Sequence, residues 1–252
     1  MFAERIRAMA APHWLGLFGL IIVAWAVLYV MSVPAELRQL NGVYGAAFWD
    51  SLCILTPDAA GWMRMVAMWA LMSAAMMSPT VLPALATYDD LGRSTQTHMG
   101  RLVAGYLTVW LGFSVLAASA QLIGLRLGLL DPLGQSATRL LSAALLAGAG
   151  LYQFAPIKEA CLSKCRSPMN FFMAHWDEGA WRNGLRLGLV CLGCCWALMA
   201  LAFVGGVMNL GFMAVATVIM ILEKLPDIGR YVTRPLGVLL IAGAGLVAFG
   251  VG

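Results

Sequence analysis

Cysteine and methionine side chains are concentrated in three segments of this 252-residue chain, which holds 6 cysteines and 16 methionines. Thiolate and thioether sulfurs are soft ligands that select Cu(I) over ions that prefer oxygen, and zinc also accepts an all-cysteine site. The candidate metal ligands are Met72, Met76, Cys161, Cys165, Cys191, Cys194, Cys195 and Met199. Their chemistry predicts a soft-metal site, with Cu(I) as the favoured ion and zinc as the alternative.

In the first segment, methionines recur every three or four residues from Met65 to Met76, so their side chains share one face of a helix. Pro79 follows three residues later and predicts a kink. Methionine also fills irregular gaps in apolar cores. This face is therefore either a ladder of thioether ligands or ordinary core packing.

The second segment predicts a helical turn that begins at Pro156 and carries Cys161 and Cys165 on one face. Two thiolates at this spacing can hold one ion, and nearby positive charge favours the thiolate form. The neighbouring basic residues are Lys158, Lys164 and Arg166. The alternative is a pair of interfacial cysteines beside basic residues that only set the membrane topology.

The third segment places Cys191, Cys195 and Met199 four residues apart on one helical face, with Cys194 beside them. Counted from Gly184 at the helical rise per residue, Cys191 lies about 10 Å and Cys195 about 17 Å into the apolar run. This depth reaches the middle of a bilayer and places the third cysteine group inside a predicted membrane span.

Two other functions fit the same cysteines. Cys191 and Cys194 form a Cys-x-x-Cys pair, which is typical of thiol-disulfide oxidoreductases. Such an enzyme needs its sulfurs near the oxidising face, whereas the predicted topology places them towards the inner half of the membrane. The other alternative is a non-catalytic subunit of a larger membrane complex, in which cysteine and methionine only pack.

The elements that must position these residues are membrane helices, because 62% of the chain is hydrophobic and only 11% is charged. An ordinary soluble domain has roughly 25% charged residues. The apolar runs predict an all-α polytopic transmembrane bundle of about seven spans, in a single domain covering residues 1–252. The predicted spans are 13–33, 62–87, 100–129, 136–156, 184–204, 207–222 and 232–250. The fifth and sixth meet at Gly205-Gly206, where one interrupted helix is the alternative.

Most of the 16 Lys and Arg residues fall in alternate loops on one side of this arrangement. Because basic loops stay in the cytoplasm, the amino terminus is predicted to be cytoplasmic and the protein to be a multi-pass protein of a bacterial inner membrane. Arg5 and Arg7 precede an apolar run longer than that of a signal peptide, so we expect a retained first span. Residues 44–55 predict a short interfacial helix.

The remaining polar residues give little support to other functions. His13, His98 and His175 are dispersed, which does not indicate haem. Glu223 and Lys224 close an apolar run and are interpreted as a solvated interfacial pair, with a supporting or proton-relay role for Glu223 as the alternative if it faces the bundle. A Ser-His-Asp set, a phosphate loop and a nucleic-acid-binding basic patch are absent from the sequence, so hydrolases, nucleotide-driven pumps and nucleic-acid binders are disfavoured. The expected partners are the lipid bilayer, the metal ion and a protein such as a metallochaperone or cuproenzyme.

Three ordered motifs resemble an uncharacterised prokaryotic family of predicted metal-binding integral membrane proteins. The motifs are Ala75-Met76-Met77-Ser78-Pro79, Cys161 with Cys165-Arg166 before Pro168, and Gly193-Cys194-Cys195-Trp196 with Met199. The resemblance covers roughly residues 60–250. It implies a membrane protein that binds metal, and it implies no particular substrate, reaction or direction of transport.

Overall fold

The computed structural model describes residues 12–33, 58–92 and 98–250, and within these ranges the regular elements are helices and no strand forms. The α-helices are α1 (Pro12–Ser32), α2 (Ala59–Leu91), α3 (Met99–Arg126), α4 (Arg139–Tyr152), α5 (Pro156–Arg166), α6 (Pro168–His175), α7 (Ala180–Ala200), α8 (Ala202–Gly205), α9 (Leu210–Lys224) and α10 (Gly229–Phe249). The all-helical fold class is confirmed for this part of the chain. Cys53 and the predicted interfacial helix at 44–55 lie outside the described residues.

Five helical stretches of the described residues are long and apolar enough to cross a membrane: Pro12–Ser32, Ala59–Leu91, Met99–Arg126, Ala180–Gly205 and Gly229–Phe249. Helices α4 and α5 pass the same test only together, with a bend of 61° between them. The predicted span 207–222 corresponds to α9, whose 15 residues are fewer than the roughly 20 that a straight crossing needs. The count of seven spans and the orientation of the termini stay predictions.

A turn separates α7 and α8 from α9, so the two neighbouring predicted spans are distinct helices. Gly206 in this turn has a φ of +93°, a backbone conformation that favours glycine. Asn209 then caps α9, because its side-chain oxygen accepts a hydrogen bond from the Phe212 backbone N–H at 3.1 Å. This cap fixes the start of α9, and its last turn consequently carries Glu223 and Lys224.

Helices α3 and α7 pack closely because glycines face each other where they cross. A Cβ atom added to Gly184 would collide with the Leu102 carbonyl oxygen, and one added to Gly105 would collide with the Trp181 carbonyl oxygen. Small residues of this kind allow two helix backbones to approach each other. The crossing brings Tyr106 of α3 to the same level as the cysteines of α7.

Candidate metal centre

The thiols of Cys191, Cys194 and Cys195 form a buried group, called here the thiol cluster, on one face of α7. Their sulfur atoms all lie within 4.8 Å of one another, and the Cys194 and Cys195 sulfurs are 3.2 Å apart. All three side chains are buried. At a metal–thiolate distance of about 2.3 Å, two sulfurs on opposite sides of one ion are about 4.6 Å apart. The spacing of the cluster is therefore suited to one thiolate-bound ion.

The predicted second pair of cysteines lies against this cluster. Helix α5 packs on α7, and a Cβ atom added to Gly193 would lie 2.6 Å from the Cys161 sulfur, so a larger residue there would displace this thiol. Cys165 lies one helical turn further along the same face of α5 and lines a cavity together with Cys191 of the cluster. Cys161 and Cys165 are half-buried, in contrast to the fully enclosed cluster. Five cysteines of α5 and α7 thus lie close together, two of them half-buried on α5 and three buried on α7.

A small cavity of about 20 Å³ lies at the junction of these helices. Its polar and sulfur-bearing lining consists of Thr80, Cys165, Cys191 and Lys224. A space of this size accommodates about one water molecule or one ion. The cavity joins the half-buried pair to the thiol cluster through Cys165 and Cys191.

Two hydrogen-bonding groups face the Cys191 sulfur. The Lys224 ammonium nitrogen lies 3.0 Å from this sulfur and 2.6 Å from the Thr80 hydroxyl oxygen. The Tyr106 hydroxyl lies 3.0 Å from the same sulfur and 3.3 Å from the Met77 carbonyl oxygen, and its single proton can bond to either. An ammonium and a phenol at this distance stabilise negative charge on sulfur. Cys191 is therefore the thiol best prepared to act as a thiolate.

The interpretation of Glu223 and Lys224 as a solvated pair is wrong, because both side chains are buried. The Glu223 carboxylate accepts a hydrogen bond from the Lys158 ammonium at 3.0 Å, and both side chains are 1% exposed. Arg166 donates to the Glu223 carbonyl oxygen at 2.9 Å. This network attaches the end of α9 to α5 beside the cysteines.

The partner of Glu223 is 65 residues away in the sequence, so a local pattern does not reveal it. The position of Lys158 in the sequence nevertheless indicates that it needs an acidic partner. Lys158 lies three residues before Cys161 and seven before Cys165, which puts it on the cysteine-bearing face of α5. A lysine on that buried face requires an acidic partner, and Glu223 supplies it.

The predicted methionine ligands Met72, Met76 and Met199 are buried. Met72, Met76 and Met199 belong to the same hydrophobic core as the cysteines. Met77, which was not among the predicted ligands, contributes its carbonyl oxygen to Tyr106 and Thr80. Met72, Met76 and Met199 as metal ligands stay a prediction.

The sequence model of a family named PpoB2, described as a copper chaperone, matches residues 66–247. The chain belongs to the PpoB2 copper chaperone family. The match includes every predicted ligand in all three segments, together with Lys158, Glu223 and Lys224. No curated protein and no solved structure matches the chain significantly. Membership in the PpoB2 family confirms that the chain is related to metal-binding proteins and identifies the metal of that family as copper.

Proposed function

We propose that this protein is an integral membrane copper chaperone of a bacterial inner membrane, which holds Cu(I) on the thiol cluster and delivers it to another protein. The observation that carries the proposal is the buried group of three thiols with the Lys224 ammonium 3.0 Å from one of them. Family membership supports copper as the ion. Copper is the cargo in this proposal, and the cysteines are its temporary ligands.

Charge balance favours a monovalent ion. Cu(I) bound by two thiolates carries one net negative charge, which the Lys224 ammonium neutralises, and an uncompensated buried charge is costly. Lys158 is already paired with Glu223, so it does not add to this balance. Zinc with two thiolates and Lys224 would leave a net positive charge. A zinc site that is neutral with the Lys224 ammonium included would require all three thiols to lose their protons.

The half-buried cysteines provide a route between the thiol cluster and a protein partner. Cys161 and Cys165 are more exposed than the cluster. Cys161 lies against Gly193, and Cys165 shares the small cavity with Cys191. Copper could then move by exchange of one thiolate ligand for the next, with no free ion released into the membrane. Met72, Met76 and Met199 complete the proposed pathway as thioether ligands. The partner is a metallochaperone or a cuproenzyme.

The direct test is the metal content of the detergent-purified protein after growth with copper, under reducing conditions. We compare the wild type with a variant in which Cys191, Cys194 and Cys195 are serine. Cys53→Ser is the matched control, because it removes a thiol from outside the predicted site. The proposal predicts close to one copper per chain in the wild type and control, and little copper in the triple variant. Equal copper in all three proteins would contradict it.

The same proteins distinguish the thiol-disulfide oxidoreductase and the structural subunit. Disulfide exchange requires a thiolate that another sulfur can approach, whereas Cys191 is 2% and Cys194 is 0% exposed. An oxidoreductase would exchange electrons with a dithiol substrate in the absence of bound metal, and the triple variant would lose that activity. If the protein is a structural subunit, the wild type would be purified without metal and with normal stability.

A further inference from the structure

A second, larger cavity of about 740 Å³ lies where α4 ends and α10 begins, and none of its lining residues belongs to the proposed copper site. Its polar lining includes Gln153, Glu159, Arg230, Thr233 and Arg234. The volume is in the range of small-molecule binding sites. The copper proposal assigns no role to this cavity.

The charge of the cavity lining is positive. Glu159 is its one acidic lining residue, and its carboxylate is already bound by the Arg166 guanidinium at 3.1 Å. Among the described residues, no carboxylate forms an ion pair with Arg230 or Arg234. Two guanidinium groups at the wall of a cavity present a fork of N–H donors that suits phosphate oxygens.

Gln153 gives an independent indication of a ligand. Its side chain is only 4% exposed, and within the part of the chain that the structure describes neither its amide nitrogen nor its amide oxygen has a hydrogen-bond partner. A buried amide without partners is costly, so such groups are normally satisfied by a ligand or an ordered water. The amide atoms are enclosed in the free protein, so donation to an anion in the cavity requires a rotation of the Gln153 side chain.

The position of the cavity in the bundle identifies a source for the anion. Arg230 and Arg234 lie in the first turns of α10, which is apolar enough to span a membrane and is mostly exposed. Basic cavities between the ends of membrane helices are suited to the phosphate groups of lipids. A free phosphate ion offers the same oxygens to the same donors.

We propose that the cavity between α4 and α10 binds a phosphate group through Arg230, Arg234 and the Gln153 amide. The phosphate is supplied either by the head group of an anionic phospholipid or by a free phosphate anion. The lipid source depends on α10 crossing a membrane and does not depend on copper binding. The two proposals are therefore independent: loss of copper binding would not contradict the phosphate site, and absence of phosphate binding would not contradict the copper proposal.

The experiment measures binding of phosphatidylglycerol, phosphatidylcholine and inorganic phosphate to the detergent-purified full chain by native mass spectrometry. The test variant is Arg230→Gln/Arg234→Gln. The matched control is Arg101→Gln/Arg182→Gln, which removes two exposed positive charges from other helices. The thermal unfolding midpoint verifies that each variant is folded.

If a lipid supplies the phosphate, phosphatidylglycerol should bind the wild type and the control equally and the test variant at least about tenfold more weakly. Millimolar phosphate should then not displace the lipid. If free phosphate is the ligand, inorganic phosphate should bind the wild type and the control equally and the test variant more weakly, and it should displace the lipid. Gln153→Met, which keeps the volume of the side chain but removes its amide, is expected to weaken the same ligand several-fold. Equal affinities in the wild type and the test variant, or an equal loss in the control, would overturn the proposal.

Discussion

Replacing Lys224 with methionine removes the positive charge beside Cys191 and keeps a side chain of similar length. We expect the variant to bind Cu(I) about 10- to 100-fold more weakly. In the loaded protein the Cys191 sulfur must be a thiolate, because the metal binds the deprotonated form. The ammonium at 3.0 Å is its nearest charged partner among the contacts described for this sulfur.

The magnitude follows from the type of bond that is lost. Hydrogen bonds to charged groups contribute about 1.5–3 kcal/mol, and each 1.4 kcal/mol changes an equilibrium constant about tenfold. A bare Coulomb term at this distance would be larger, at about 5.5 kcal/mol for an effective dielectric constant of 20, but desolvation of both ions offsets much of it. The hydrogen-bond figure is therefore the appropriate one.

The assay is an anaerobic competition between the purified protein and a chromophoric Cu(I) chelator at fixed pH. Lys224→Arg keeps the charge and is expected to retain most of the affinity. Arg182→Met is the matched control, because Arg182 is an exposed basic residue in the first turn of α7 and has no role in the proposed site. An affinity of Lys224→Met within twofold of the wild type, with the control also unchanged, would refute the role assigned to Lys224.

Three further outcomes are expected. Tyr106→Phe removes one of the two hydrogen-bonding groups on the Cys191 sulfur and should weaken Cu(I) binding about two- to tenfold in the same competition assay. Unchanged affinity would mean that the hydroxyl bonds only to the Met77 carbonyl oxygen. Glu223→Gln leaves the buried Lys158 ammonium without its countercharge. The variant should therefore unfold with a free energy lower by about 3–5 kcal/mol, measured by denaturation in detergent. A stability equal to that of the wild type would contradict the buried ion pair. Gly184→Ala forces α3 and α7 apart and should lower the free energy of unfolding by about 1–3 kcal/mol or more in the same measurement. Gly112→Ala is the control and should leave stability unchanged, because nothing lies within 4 Å of the added Cβ.

The thiol cluster could be predicted from the sequence because helical geometry is local. Residues spaced three and four apart share a face in any helix, so Cys191, Cys194 and Cys195 had to lie together once α7 formed. The start of α5 at Pro156 was predicted for the same kind of reason, since proline is favoured in the first turn of a helix.

The surroundings of the cluster could not be predicted in this way. Lys224 and Tyr106 reach Cys191 from helices that are 33 and 85 residues away in the sequence. Their contact depends on how α3, α7 and α9 pack, which no local pattern specifies. Glu223 was misinterpreted for the same reason: a charged residue at the end of an apolar helix is usually solvated unless another helix carries its partner.

The most direct test of the central claim is X-ray absorption spectroscopy at the copper edge on the copper-loaded protein. The account predicts the edge of Cu(I) and a first coordination shell made only of sulfur, which the serine variant of Cys191, Cys194 and Cys195 loses and Cys53→Ser retains. A Cu(II) edge, a shell of nitrogen and oxygen, or a sulfur shell that persists in the triple variant would contradict it.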